Sequence, residues 1–123
     1  MSVFMDTSAL YAVLDAGDAN HKAAAGRWAR LLDSEEQLVT SNYVVLEVSA
    51  LVQHRMGVKA LRTFHEDVMP AARIVWVTEQ IHNTALAMLF LANRRRLSLT
   101  DCVSFEIMRS QNIRSAFAFD PHF

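Results

Sequence analysis

Four short apolar runs with helical patterns between them constrain this chain more than any other feature. Val3-Phe4-Met5, Leu38-Val39-Thr40, Ile74-Val75-Trp76-Val77 and Ala116-Phe117-Ala118-Phe119 are short, apolar and bounded by polar residues, so they read as buried strands. Between the first two, Ala24, Trp28, Leu31 and Leu32 fall at i, i+4, i+7 and i+8, the stripe of an amphipathic helix. Strands alternating with helices imply a parallel sheet covered on both faces. With 3 glycines and 2 prolines in 123 residues, the connections must be short, and no repeat or linker interrupts them. Residues 1–123 are therefore expected to form one α/β domain.

Helix signals set the expected boundaries. Ser8 or Thr7 offers an N-cap for a first helix that runs to Leu14 and breaks at Asp15-Ala16-Gly17-Asp18. Ser41-Asn42 precedes a helix whose core face is Val44, Val48, Leu51 and Val52, with Gly57 as its stop. A further helix is expected from Val58 to about Met69, before Pro70. Thr78 caps a long helix through Arg96, and Ser98-Leu99-Thr100 leads into another from Asp101 to about Gln111.

Composition excludes several classes. A single cysteine, Cys102, forbids an internal disulfide and suits a reducing cytoplasm. The first residues carry no basic segment and no long apolar run, so no secretory leader is expected. The longest apolar run, Ala85 to Ala92, is far short of the ~20 residues that span a bilayer. Neither glycine-rich phosphate loop occurs. Net charge is -1, so no bulk basic character advertises nucleic acid. An apolar share of 52% leaves area for a partner or a second copy.

Chemistry concentrates in a few acids. Asp6 and Asp120 each end an apolar run, where α/β sheets bind ligands. Glu47 borders the stripe of Val44 and Leu51, and Asp101 opens a helix with Phe105 and Met108 at i+4 and i+7. Taken alone, Asp6 reads equally well as a plain helix cap. Several carboxylates beside apolar faces are costly unless something compensates them, and a hard divalent cation such as Mg²⁺ does so. The five histidines, His21, His54, His65, His82 and His122, show no metal-binding pair and read as ordinary surface or partly buried residues. Cys102 reads as a small buried thiol. Arg94-Arg95-Arg96 reads either as cations offsetting a helix dipole or as phosphate contacts.

Four segments, Met5 to Leu10 ("MDTSAL"), Ser41 to Val48 ("SNYVVLEV"), Leu97 to Phe105 ("LSLTDCVSF") and Ala116 to Phe123 ("AFAFDPHF"), together resemble the PIN-domain ribonucleases, most of all the VapC-type toxins. They stand in family order over nearly the whole chain. The resemblance implies a three-layer α/β/α sandwich with a mainly parallel sheet. It implies Asp6, Glu47, Asp101 and Asp120 as the acidic quartet that binds Mg²⁺ or Mn²⁺, with Thr7, Ser8, Asn42 and Thr100 in support. It implies RNA as substrate, a small cognate antitoxin and a homodimer. The family commonly continues past its D-x-x-F match, whereas this chain stops at Phe123. Setting the quartet aside leaves nine acids against 12 lysines and arginines, so a polyanion is electrostatically acceptable.

Other readings compete. One is a PIN nuclease of RNA processing, or of DNA, without an antitoxin. Another is a non-catalytic module keeping only the fold, which the intact quartet argues against. A phospho-accepting receiver domain would need an aspartate at the end of a middle strand, and the second and third runs end in Thr40 and Val77. The dimer is expected on the helix from Glu79 to Arg96. Its core stripe is Ile81, Ala85, Met88, Leu89 and Ala92, with Leu86 and Phe90 left over on the other side. The alternative buries Leu86 and Phe90 under the helix from Val58.

Overall fold

The computed structural model describes residues Met1–Phe123. Its centre is β1 (Ser2–Met5), which pairs in parallel with β2 (Gln37–Ser41) on one side and β4 (Ser115–Phe117) on the other. β3 (Ala72–Val75) adds beyond β2, so the sheet order is β3-β2-β1-β4 with every pairing parallel. Successive side chains of a strand face opposite sides. Val3, Phe4 and Met5 are all buried, as are Leu38 to Ser41, so both faces of the sheet are covered. That is the three-layer arrangement expected of alternating strands and helices. The chain leaves β1 toward β2 and returns to the far side of β1 as β4, which opens a crevice beyond the carboxyl ends of β1 and β4.

The helices are α1 (Thr7–Leu14), α2 (His21–Asp33), α3 (Asn42–Met56), α4 (Val58–Thr63), α5 (Glu79–Ala92) and α6 (Leu99–Ser110). α1 packs on α2 and α3, α4 on α3, and α5 on α6. None is long and apolar enough to cross a membrane. Ser41 caps α3 through its hydroxyl, Thr78 caps α5, and Gly57 ends α3 at φ 93°, a conformation that side chains resist.

Several boundaries differ from the sequence reading. Asp6, not Ser8 or Thr7, caps α1. The helix expected from Val58 to Met69 stops at Thr63, widens into a π-helical turn over Phe64–Val68 and tightens into a 3-10 turn over Met69–Ala71. Pro70 has no N–H to continue a helix, and the irregular turns let Phe64, Val68 and Met69 all stay buried. β3 ends before Trp76 because the Val77 amide turns aside to donate to Asn42 Oδ1 at 2.7 Å. α5 ends at Ala92, not Arg96. Asn93 adopts φ 50° and caps it, so Arg94–Arg96 lie just past the helix C-terminus, in the following turn. β4 is shorter than expected. Its last ladder bond runs from Asp6 N–H to the Phe117 carbonyl, and Asp120 sits three residues beyond the strand.

Candidate active site

Asp6 follows β1 directly and is 2% exposed. Its Oδ2 accepts from the Ser8 amide at 3.3 Å and from the Ser8 hydroxyl at 2.9 Å. Its Oδ1 is buried with no partner, as is the Thr7 hydroxyl beside it. Capping therefore uses half of the carboxylate and leaves the other half unexplained. Burial pushes the Asp6 carboxyl above its ordinary pKa. The hydrogen bonds from Ser8 and Thr7 oppose that shift, and the nearby charge of Asp101 adds to it.

Ser8 joins two parts of the site. Its hydroxyl donates to Asp6 and accepts from the Phe119 amide at 2.9 Å, pinning the chain that leads to Asp120. Ser8→Ala strands that amide and one carboxylate contact. It is expected to lower the unfolding free energy by about 1–3 kcal/mol. Urea denaturation of both proteins measures the difference, and an unchanged midpoint would show that water satisfies the amide.

Asp101 is delivered by the N-terminus of α6. Its carboxylate accepts from the Ser98 amide at 3.1 Å while its own amide donates to the Ser98 hydroxyl at 3.0 Å. Asp120 Oδ1 accepts from the amide and from the Nδ1 of His122, both at 2.8 Å. Glu47 reaches the crevice from α3. Asp6, Thr7, Ser8, Glu47, Arg96, Ser98, Asp101 and Asp120 line one cleft of about 290 Å³ with no apolar residue among its 8.

The four predicted acids thus meet, together with Thr7 and Ser8. Thr100 lies beside them, in an apolar hollow shared with Tyr43, Leu46, Glu47 and Ala50. Asn42 is not in the cleft; its side chain is engaged by Val77. Of the three arginines only Arg96 lines the cleft, while Arg94 and Arg95 flank Leu89, Phe90 and Leu97. His122 was missed: its ring and the carboxylates of Asp101 and Asp120 offer ligand atoms within 4.8 Å of one another. The D-x-H spacing carried that signal, since an aspartate commonly bonds the backbone two residues on. Among the other histidines, His21, His65 and His82 are engaged by the Ala12 carbonyl, Ser49 and Tyr43, and His54 is exposed. Burial raises the Cys102 thiol pKa, which disfavours the thiolate.

None of the four carboxylates is paired with a lysine or arginine. Converging carboxylates with no lysine or arginine ion pair, one with an orphaned buried oxygen, form the hard-oxygen donor set that divalent cations take. The residues present fit such an ion.

A model of the PIN domain family matches residues 3–123. The chain is 33% identical over 122 residues to the 23S rRNA-specific endonuclease VapC20 of Mycobacterium tuberculosis strain CDC 1551 / Oshkosh, covering 98% of this chain and 91% of that protein. The VapC20 of strain ATCC 25618 / H37Rv matches with the same 33% identity and coverage. A crystal structure of the M. tuberculosis VapC20, described as a sarcin–ricin loop cleaving toxin, superposes with a TM-score of 0.86 at 32% identity, covering 96% of this chain and 89% of that one.

Proposed function

The chain belongs to the PIN-domain family, and on that premise we propose that it is a divalent-metal-dependent endoribonuclease, the toxin of a VapBC-type toxin–antitoxin pair. The observation that carries the reading is the wholly polar cleft in which Asp6, Glu47, Asp101 and Asp120 meet with no lysine or arginine ion-paired to any of them. When bound there, a divalent cation makes water acidic enough to attack a phosphodiester near neutral pH and offsets charge developing on the phosphoryl oxygens. Mg²⁺ is the ion we assign first, since it favours carboxylates and retains water.

The protein's own part is orientation. Ser8 and Ser98 hold Asp6 and Asp101 through hydrogen bonds, so both carboxylates are placed before any ion arrives. Arg96, exposed at the rim, positions phosphate without choosing sequence. The similarity to a sarcin–ricin loop cleaving toxin supports a loop of ribosomal RNA as the substrate class. The test is cleavage of 23S rRNA by the metal-free protein with Mg²⁺ or Mn²⁺ restored, then with EDTA. Cutting is expected only with the ion, and cutting that survives EDTA overturns the reading.

We assign the antitoxin to the apolar hollow of Tyr43, Leu46 and Ala50 beside Glu47, where a helix could seat apolar side chains and set a basic one against the acids. Co-purification of a small protein encoded beside this one tests that assignment. A cytoplasmic location accords with the buried unpaired cysteine. For self-association we assign the outer face of α5. Phe90 is 71% and Leu91 89% exposed, and α4 does not cover Phe90. Phe90→Glu is expected to turn a dimer into a monomer. Light scattering at high micromolar concentration reads this, and a monomeric parent protein removes the assignment.

A further inference from the structure

Asp120 reaches the cleft on a stretch with no regular structure. β4 ends at Phe117, and no strand or helix holds the chain beyond it. The two aromatic residues that bracket Asp120, Phe119 and Phe123, both pack against the core. On the near side the Phe119 amide is tied to the Ser8 hydroxyl. On the far side the Phe123 amide donates to the Asp120 carbonyl at 3.1 Å, and the Phe123 ring packs on Phe105 with centroids 4.8 Å apart. Asp101 and Phe105 lie one turn apart on the same face of α6. One helix thus delivers Asp101 from its own first turn and takes hold of Asp120 through Phe123. Such a hold is needed, because an oxygen of Asp101 and one of Asp120 come within 4.8 Å of each other. Carboxylates that close repel, and an untethered Asp120 would swing out to solvent in the metal-free protein.

We propose that Phe123, seated on Phe105, is a positioning residue that holds the Asp120 carboxylate in the cleft before any ion arrives. Its ring is a latch: closed on α6, it keeps Asp120 beside Asp101 against their repulsion. An aromatic pair in contact stabilises by more than its buried area alone, enough to shift the latched population about ten-fold. The consequence for ion binding rests on the metal-dependent reading above; the hold on Asp120 does not.

Amide exchange followed by NMR, on the full chain in EDTA, reads the latch without metal. The His122 amide donates to the Asp120 carboxylate at 2.8 Å, so it should exchange about ten-fold faster in Phe123→Ala than in the parent. The Leu10 amide, bonded to the Asp6 carbonyl, should keep its rate. A His122 rate that is unchanged, or that moves only in step with Leu10, overturns the proposal. Calorimetric titration with Mn²⁺ then reads the consequence. Phe123→Ala is expected to bind the ion about ten-fold more weakly, Phe105→Ala likewise, and Phe123→Tyr, which keeps the ring, close to the parent. Added to Asp120→Asn, Phe123→Ala should cost little more, because the charged ligand it positions is already gone. Losses that add would mean that the ring only supports the fold, and the proposal fails. Mn²⁺ binding absent from a parent that passes the exchange test would remove the metal reading and leave the latch. Metal-dependent cutting with an unchanged His122 rate would do the reverse.

Discussion

Asp6→Asn is expected to lower RNA cleavage by about 10³-fold or more while leaving a folded protein that is more stable without metal than its parent. The first effect follows from losing a charged ligand at the oxygen that has no protein partner, since metal assistance supplies several kcal/mol of transition-state stabilisation. The second follows from what Asp6 endures without metal: a buried charge, made worse by Asp101. Asparagine keeps an acceptor toward Ser8 and removes the charge. Divalent ion should raise the melting temperature of the parent, by mass action about 2.7 kcal/mol at a hundred-fold excess over Kd, and should do little for the variant. Asp101→Asn is expected to behave alike in cleavage. A folded Asp6→Asn protein that still cuts RNA would falsify the assignment.

The stability gap should depend on pH with a definite sign. A carboxyl whose pKa is raised by folding contributes stability that is full below its unfolded value, near 4, and lost as pH rises through the raised value. The asparagine that replaces Asp6 in the variant titrates nowhere. The advantage of Asp6→Asn over metal-free parent should therefore be small in acid and grow as pH rises through the raised value toward neutrality. Glu106 runs the other way, because Arg109 holds its carboxyl below the ordinary range, so its contribution is lost as pH falls. It is common to both proteins and cancels in the difference. Urea denaturation in EDTA across that range reads the gap, and a gap that shrinks with rising pH contradicts the burial argument.

What was legible in the sequence depended on how local the signal was. The βα alternation placed the central strand and the parallel sheet, because a buried strand advertises itself by an unbroken apolar run such as Val3-Phe4-Met5. Helix starts were legible where one hydroxyl does the capping, as at Ser41 and Thr78. The first helix was off by one cap because Asp6 and Ser8 are both good caps, and only the tertiary bond from Ser8 to Phe119 takes Ser8 away. Asn93 marked the end of α5, since asparagine is next to glycine in tolerating the left-handed cap, but the arginines after it favour helix and drew the expected end on to Arg96. Asn42 looked like part of the site because it neighbours the strand end, yet its partner is 35 residues away at Val77. His122 was passed over for the converse reason. Its meaning comes from the packing of Phe123 on Phe105, which is a property of the fold alone.

Phe4→Ala is expected to cost about 3–5 kcal/mol, the largest stability loss of any variant considered. The reasons are specific to its place. Phe4 is 0% exposed and is among the largest fully buried side chains, on the strand bonded on both sides, to β2 at Val39 and to β4 at Ala116. Truncation removes apolar contact and leaves a void that strands paired on either flank cannot close, so the cavity term adds to the transfer term. Against a total of about 5–15 kcal/mol for a domain, such a loss puts a sizeable fraction of molecules at risk near body temperature. Asp6 follows this strand directly, two residues after Phe4, so the site is only as firmly placed as β1. Phe4→Leu, which refills most of the volume, separates packing from any special need for the ring and is expected to recover most of the loss. Urea denaturation of the three proteins in EDTA decides it. A Phe4→Ala midpoint within error of the parent would mean that the helices on that face collapse into the void, and that β1 is less rigidly held than its two ladders imply.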